Sequence, residues 1–209
     1  MLEHFIKVDL KAHIAAAPTN FEAVLAPPDS ELAQQLVKDP YVFEHLALVG
    51  RVTERDVEQA LMDRLQDTLL EFGRGMAFVG RQVRFEVPDG KSRTDELVLD
   101  LLLFHIPQAR YVVVELKTGA FQPAFLGQLS AYVGVVEDKL RDKAKHAPTI
   151  GMLLCTGKND AIVHYTLANM TAALSVADYE GLPDDARAAL PSADELRAVV
   201  AEEVGKAAR

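Results

Sequence analysis

The stretch Tyr111-Val112-Val113-Val114-Glu115-Leu116-Lys117 decides the reading of this chain. Its β-branched apolar run is the pattern of a strand buried on both faces, and it ends in an acid and a base one residue apart. Strand side chains alternate between faces, so Glu115 and Lys117 point the same way while Leu116 turns into packing. Two charges set side by side in a sheet are costly unless they are paired or bound to something. Upstream, Leu97-Val98-Leu99-Asp100-Leu101-Leu102-Leu103-Phe104 is a second apolar run with a carboxylate at its centre, a residue that packing alone does not explain. Placed on neighbouring strands, Asp100, Glu115 and Lys117 have the make-up of a metal-dependent phosphodiesterase centre.

The chemistry accounts for these residue types. Phosphodiester cleavage needs a water made nucleophilic and stabilisation of charge on the phosphate and the leaving oxygen; one or two Mg²⁺ ions held by carboxylates supply both. Two carboxylates about 4 Å apart repel by roughly 4 kcal/mol at an effective dielectric of 20, and a divalent cation between them reverses the sign. Asp100 and Glu115 are therefore the expected metal ligands, with the Leu116 main-chain carbonyl as a third protein oxygen. Lys117 is placed to orient or deprotonate the water, or to stabilise phosphate charge.

Outward from this pair of strands, turn and cap signals order the rest. Pro88-Asp89-Gly90-Lys91 predicts a hairpin between a strand over 77–87 and one over 95–104. The first of these has Val79, Val83, Phe85 and Val87 on one face, interrupted by Arg81. Thr53 and Asp56 resemble a capping box opening one helix that runs to Gly73, with Val57, Ala60, Leu61, Leu65, Leu69 and Phe72 at helical spacing; Glu58 lies at the margin of that apolar face. Pro107-Gln108 turns the chain into the Tyr111–Lys117 strand. A helix of about twenty residues begins near Gly119 and Pro123, followed by a strand over 149–155, a turn at 157–160, a helix over 161–170, with a strand as the alternative there, and a short strand over 174–177. A last amphipathic helix is expected from Pro191 to about Val204. Before all of this, Pro18, Pro27-Pro28 and Asp29-Ser30 suggest a poorly regular lead-in, and Asp39-Pro40 a short helix carrying Tyr41, Val42 and Phe43. The order helix, three strands, helix, strand, helix, strand is that of a small α/β or α+β sandwich around one mixed sheet.

Composition bounds the function. A chain of 209 residues, about half apolar and a quarter charged, fits one soluble domain; residues 51–209 are expected to form it, and residues 1–50 an N-terminal arm and short helix. No segment approaches the ~20 apolar residues of a membrane span, nothing resembles a signal peptide, and a cytoplasmic location is the expectation. The lone cysteine, Cys155, reads as a small buried hydrophobe. Six scattered histidines show no zinc spacing; His105 reads as structural, and Tyr132 as core. The net charge of −9 opposes tight nucleic-acid binding, although basic residues gather at Arg81/Arg84, Lys91/Arg93 and Lys139/Arg141/Lys143/Lys145.

Asp100, then Glu115-Leu116-Lys117, then Gly127-Gln128-Leu129 resemble the PD-(D/E)xK nuclease superfamily. More closely, the chain is similar to the C-terminal nuclease domain of YhcG-like proteins, through Thr19-Asn20-Phe21, Ser30 to Leu36, Lys38 to Phe43, Gly73 to Gln82, Glu115 to Gly119 and Pro148 to Cys155. That resemblance implies a restriction-endonuclease-like core of order αβββαβ with an extra C-terminal helix. It implies a Mg²⁺-dependent DNA endonuclease, with Mn²⁺ able to substitute, acting beside a DNA-recognition domain or protein partner in defence, repair or mobile-element biology. By it, Asp100 and Glu115 match the metal-binding acids, Lys117 the catalytic lysine, Glu58 the first-helix acid, and Gln128 a helix glutamine beside the site. Leu99 stands where the family name has proline. A second class remains open at this level: an inactive nuclease-fold module that binds nucleic acid or a protein, in which Glu115 and Lys117 are only an ion pair. RNA as substrate and a homodimer are also compatible with the sequence.

Overall fold

The computed structural model describes residues 16–43, 53–88 and 94–180. The elements are α1 (Phe21–Val24), α2 (Pro27–Gln34), β1 (Tyr41–Val42), α3 (Glu54–Asp63), α4 (Leu65–Phe72), β2 (Met76–Pro88), β3 (Thr94–His105), β4 (Arg110–Leu116), α5 (Pro123–Lys139), β5 (Ile150–Cys155), α6 (Asp160–Leu167) and β6 (Leu174–Glu180). They build one six-stranded mixed sheet in the order β1-β6-β5-β4-β3-β2. β2, β3 and β4 pair antiparallel; β4, β5, β6 and β1 pair parallel. This is an α/β restriction-endonuclease-like core. No helix among the described residues is long and apolar enough to cross a membrane.

Two apolar layers sandwich the sheet. On one face Leu101, Leu103, Val112, Val114, Leu116, Met152 and Leu154 pack against Phe21, Ala33, Val57, Leu61 and Phe72 from α1–α4. On the other, Val113, Leu153 and Val176 meet Leu126, Leu129, Val133 and Val136 of α5 and Val163 and Leu167 of α6. α5 lies tight on β5 at Gly151, where a Cβ would fall 2.8 Å from Leu174 Cδ2 and 2.9 Å from both Leu129 Cγ and Val133 Cγ2. Gly151→Ala is therefore expected to destabilise the fold by about 1–3 kcal/mol through overpacking, read as a lowered urea midpoint at constant slope.

Several sequence expectations are corrected. The irregular lead-in is, over residues 16–43, two short helices and a strand whose Phe21, Tyr41 and Phe43 are fully buried. The short helix at Asp39-Pro40 is replaced by β1, which pairs parallel to β6 through Tyr41↔Tyr179. The residues are aromatic and β-branched, and the Tyr41 and Phe43 rings gain the Phe72 ring as a neighbour, at centroid distances of 5.3 and 5.8 Å, which outweighs the capping signal. The single helix expected from Thr53 to Gly73 keeps its capping box but breaks at Arg64 (φ −122°, ψ 43°). Thr68 Oγ1 donates to Leu61 O at 2.8 Å there, satisfying a carbonyl that the break frees. In β2 the register slips between Phe78 and Gly80. The four-residue face expected there is accordingly split: Val79 is 48 % exposed, while Val83 and Phe85 pack beneath α5.

The other elements fall close to expectation. β2 and β3 form the expected antiparallel hairpin up to Pro88↔Thr94; its turn, with Lys91 and Arg93, and the helix expected from Pro191 to Val204 lie outside the described residues. Residues 160–167 are helical, opened by Asn159, whose Oδ1 accepts from the Ala161 and Ile162 amides. Five of the basic groups are tied up locally: Arg81 donates to Gln59, Arg84 pairs with Glu96, Arg141 with Glu137, Lys139 with Asp138 and Lys145 with Asp142.

Candidate active site

The site lies where β4 ends. β3 and β4 pair from His105↔Arg110 to Leu101↔Val114; one residue further, the side chain of Asp100 takes over the ladder. Its Oδ2 accepts the Leu116 backbone N–H at 2.8 Å. A carboxylate in an apolar strand thus has a structural reason for its orientation, since an amide at the sheet's end would otherwise lack a partner. Glu115 is 1 % exposed and by alternation shares the face of β4 that carries Val113, the face covered by α5. Lys117 follows the strand, its N–H held by Leu154 O at 2.8 Å. Its Nζ lies 3.0 Å from Glu115 Oε1 and 3.5 Å from Glu54 Oε2, with the Phe125 ring centroid at 5.5 Å. The alternation read from the sequence, Glu115 and Lys117 together and Leu116 in the core, is what the strand delivers.

Glu58 reaches the same place from α3. It is 6 % exposed, and its Oε2 accepts from Gln82 Nε2 at 2.7 Å; the same amide nitrogen is 3.4 Å from Asp100 Oδ1. Glu58, Asp100 and Glu115 form a row of interacting carboxyls. Burial and then Asp100 raise Glu58; burial chiefly raises Asp100; burial and then Asp100 push Glu115 up to about 8, despite the neighbouring ammonium of Lys117. Lys117 itself is raised, because its carboxylate neighbours outweigh its burial.

This arrangement stores unfavourable charge. Glu115 Oε2 is buried without a hydrogen-bond partner, and four acids, Glu54, Glu58, Asp100 and Glu115, gather around the one ammonium of Lys117. Hard oxygen donors with uncompensated negative charge fit a Mg²⁺-type cation. Among the described residues no three His, Cys, Asp or Glu side chains make a metal cage by themselves.

Gln128 is carried by α5, four residues before Tyr132. It is exposed on α5, and its Nε2 donates to Tyr132 Oη at 2.7 Å. Tyr132, read as core, is indeed buried, and it also feels the charges of Glu115, Asp100 and Lys117. Two neighbours were not anticipated. Glu54 stands four residues before Glu58, a spacing that puts both on one side of a helix and could have revealed it. Gln82 had no local signal, because a register slip places it. His105 is away from the site, its Nε2 3.2 Å from Arg74 O. Cys155 is buried, and burial pushes its thiol up to about 12.

Comparison with known proteins agrees with this architecture. The family model described as the YhcG PDDEXK nuclease domain matches residues 34–193. The protein named "Putative nuclease YhcG" of Escherichia coli (strain K12) is 36 % identical over 159 residues, which cover 76 % of this chain and 41 % of that protein. The chain thus spans about two fifths of the length of this relative. Among solved structures, EndoMS in apo form shares 14 % identity over 64 % of this chain and 48 % of its own, with a TM-score of 0.39. A repair endonuclease from Pyrococcus abyssi gives 14 %, 64 %, 49 % and 0.35. These two likenesses are partial; the strand order and the family match define the fold. With its strand-end acids and lysine set in a sheet of this order, the chain belongs to the YhcG PDDEXK nuclease domain family.

Proposed function

We propose that the chain is a Mg²⁺-dependent endonuclease acting on DNA, with Mn²⁺ able to substitute. The observation that carries the reading is the Asp100–Glu115 pair: two mutually repelling carboxyls at the end of β4, one with a buried unpartnered oxygen, beside the ammonium of Lys117 at 3.0 Å. Asp100, Glu115 and the Leu116 carbonyl would hold the cation, which when bound supplies Lewis acidity and charge neutralisation. Lys117 holds a positive charge beside the position of the scissile phosphate and orients the attacking water. Its ammonium, 3.0 Å from Glu115 Oε1, is placed to stabilise charge that develops there. Glu58 adds a third carboxylate to the row. Tyr132 and Gln128 form the wall on the α5 side.

The family membership supports nuclease chemistry. DNA as substrate, a cytoplasmic setting and a separate recognition domain or protein partner are part of this proposal, consistent with a net charge of −9 that gives little phosphate affinity of its own. Purified protein incubated with duplex DNA is expected to cut it in Mg²⁺ or Mn²⁺ and to stop on chelation. Lys117→Ala is expected to lose about 10²–10³-fold in rate, the loss that follows removal of one preorganised electrostatic group. Cutting that survives chelation or Lys117→Ala unchanged would refute the assignment.

A further inference from the structure

Gln82 is the residue of the site that no strand pattern points to. Its backbone is left-handed, φ 48°, a conformation that costs a non-glycine residue about 1 kcal/mol or more. The cost is offset only if the position matters for something else. Up to Phe78↔Leu103 the β2–β3 ladder pairs residues whose numbers sum to 181; from Gly80↔Leu102 onward the sum is 182. Without the slip, the residue facing Asp100 would be Arg81 (181 − 100). With it, the flanking pairs Arg81↔Leu101 and Val83↔Leu99 bring Gln82 opposite Asp100. Arg81 is displaced to the Gln59 side, donating to Gln59 Oε1 at 2.8 Å.

The exchange changes the electrostatics of the site. An arginine facing Asp100 would neutralise it by a charge-assisted pair and would compete with any added cation. The glutamine amide instead offers two N–H groups and no net charge. One reaches Glu58 Oε2 at 2.7 Å and the other Asp100 Oδ1 at 3.4 Å, while the Leu116 amide holds Asp100 Oδ2. Both oxygens of Asp100 are thereby fixed, Glu58 is drawn to its side, and the negative charge of the pair is left whole.

We infer that Gln82 is a positioning residue: through the register slip in β2 it holds Glu58 beside Asp100, fixes the Asp100 carboxylate as a ligand for the divalent cation without neutralising it, and keeps arginine out of that place. The inference deepens the reading under Proposed function and rests on its cation site. Gln82 acts through the two carboxylates and touches no reacting atom.

The test is Mn²⁺ binding by calorimetry, without DNA, on wild type, Asp100→Asn, Gln82→Met and Gln82→Arg, with thermal unfolding of each metal-free protein alongside. Uptake of Mn²⁺ by wild type and its loss in Asp100→Asn establish the cation site independently of Gln82. Gln82→Met, which keeps length but has no donor, is expected to bind Mn²⁺ about 5–20-fold more weakly at an unchanged metal-free melting temperature. Gln82→Arg is expected to lose Mn²⁺ binding by at least about 50-fold while melting higher without metal, because it supplies an internal cation. Gln82→Met binding as wild type does, or Gln82→Arg retaining full affinity, overturns the inference and leaves the cation site standing. A wild type that takes up no Mn²⁺ overturns the proposed site and the role of Gln82 together.

Discussion

Asp100→Asn is expected to leave DNA uncut, with cleavage reduced by at least about 10³-fold, while the metal-free protein melts at the same temperature as wild type or higher. The two halves of that result come from the same geometry. Asparagine keeps an oxygen to accept the Leu116 N–H now held by Asp100 Oδ2, so the end of β4 stays pinned. Its amide can donate to the Glu58 or Glu115 side, where Asp100 now imposes like-charge repulsion. Substitution therefore removes strain from the resting protein and removes the ligand charge that a divalent cation requires. If Glu115 and Lys117 were only a structural ion pair, loss of Asp100 would leave any nucleic-acid binding intact. A melting temperature that falls with cleavage unimpaired would exclude the catalytic reading.

The second large effect is in pH and metal together. Glu115 is raised to about 8 by burial and by Asp100, and Asp100 and Glu58 are raised as well. A carboxyl whose folded pKa exceeds its unfolded value favours folding most where it is protonated in both states. Its contribution falls as pH rises above the unfolded value near 4.5 and levels off above about 8. Metal-free protein is therefore expected to lose stability between about pH 5 and pH 8, by a few kcal/mol in all, or on the order of 5–10 °C in melting temperature for a chain of this size. His105 acts oppositely: its pKa is lowered by burial, so it favours folding above its ordinary value of 6.5. Glu115→Gln, which keeps His105, is the comparison that separates the two, and it should melt above wild type at pH 8 and level with it at pH 5. Mn²⁺ should raise the wild-type melting temperature strongly at pH 8 and little at pH 5, where protons occupy the ligand oxygens. Thermal melts across pH with and without Mn²⁺ check this, and a wild type insensitive to Mn²⁺ at pH 8 would contradict it.

Much of this protein was legible in its residues. The Val112–Val114 run predicts a strand buried on both faces, and period-2 alternation sends Glu115 and Lys117 to one side; both are backbone-level consequences that need no knowledge of neighbours. The Thr53–Asp56 capping box, the hairpin joining β2 to β3 and the helical stretch through Tyr132 and Val133 are likewise local. Asp100 was conspicuous because a carboxylate within an apolar strand has few explanations.

Other features were set only by assembly. Tyr41 and Val42 follow a helix-start signal, yet they pair with β6, 138 residues later in the chain, where the sheet edge offers hydrogen bonds and Phe72 an aromatic neighbour. Gln128 and Tyr132 lie four residues apart on one side of α5, so their bond is local; it is the packing of α5 on the sheet that buries Tyr132 near the carboxylates. The sequence by itself determined which strands and acids exist and that Glu115 and Lys117 share a face, because these follow from alternation and burial cost along one segment. Only the tertiary structure decided that Gln82 rather than Arg81 faces Asp100, and that Glu58 joins them, because a one-residue slip between two strands exchanges the facing side chain and leaves no trace in local periodicity.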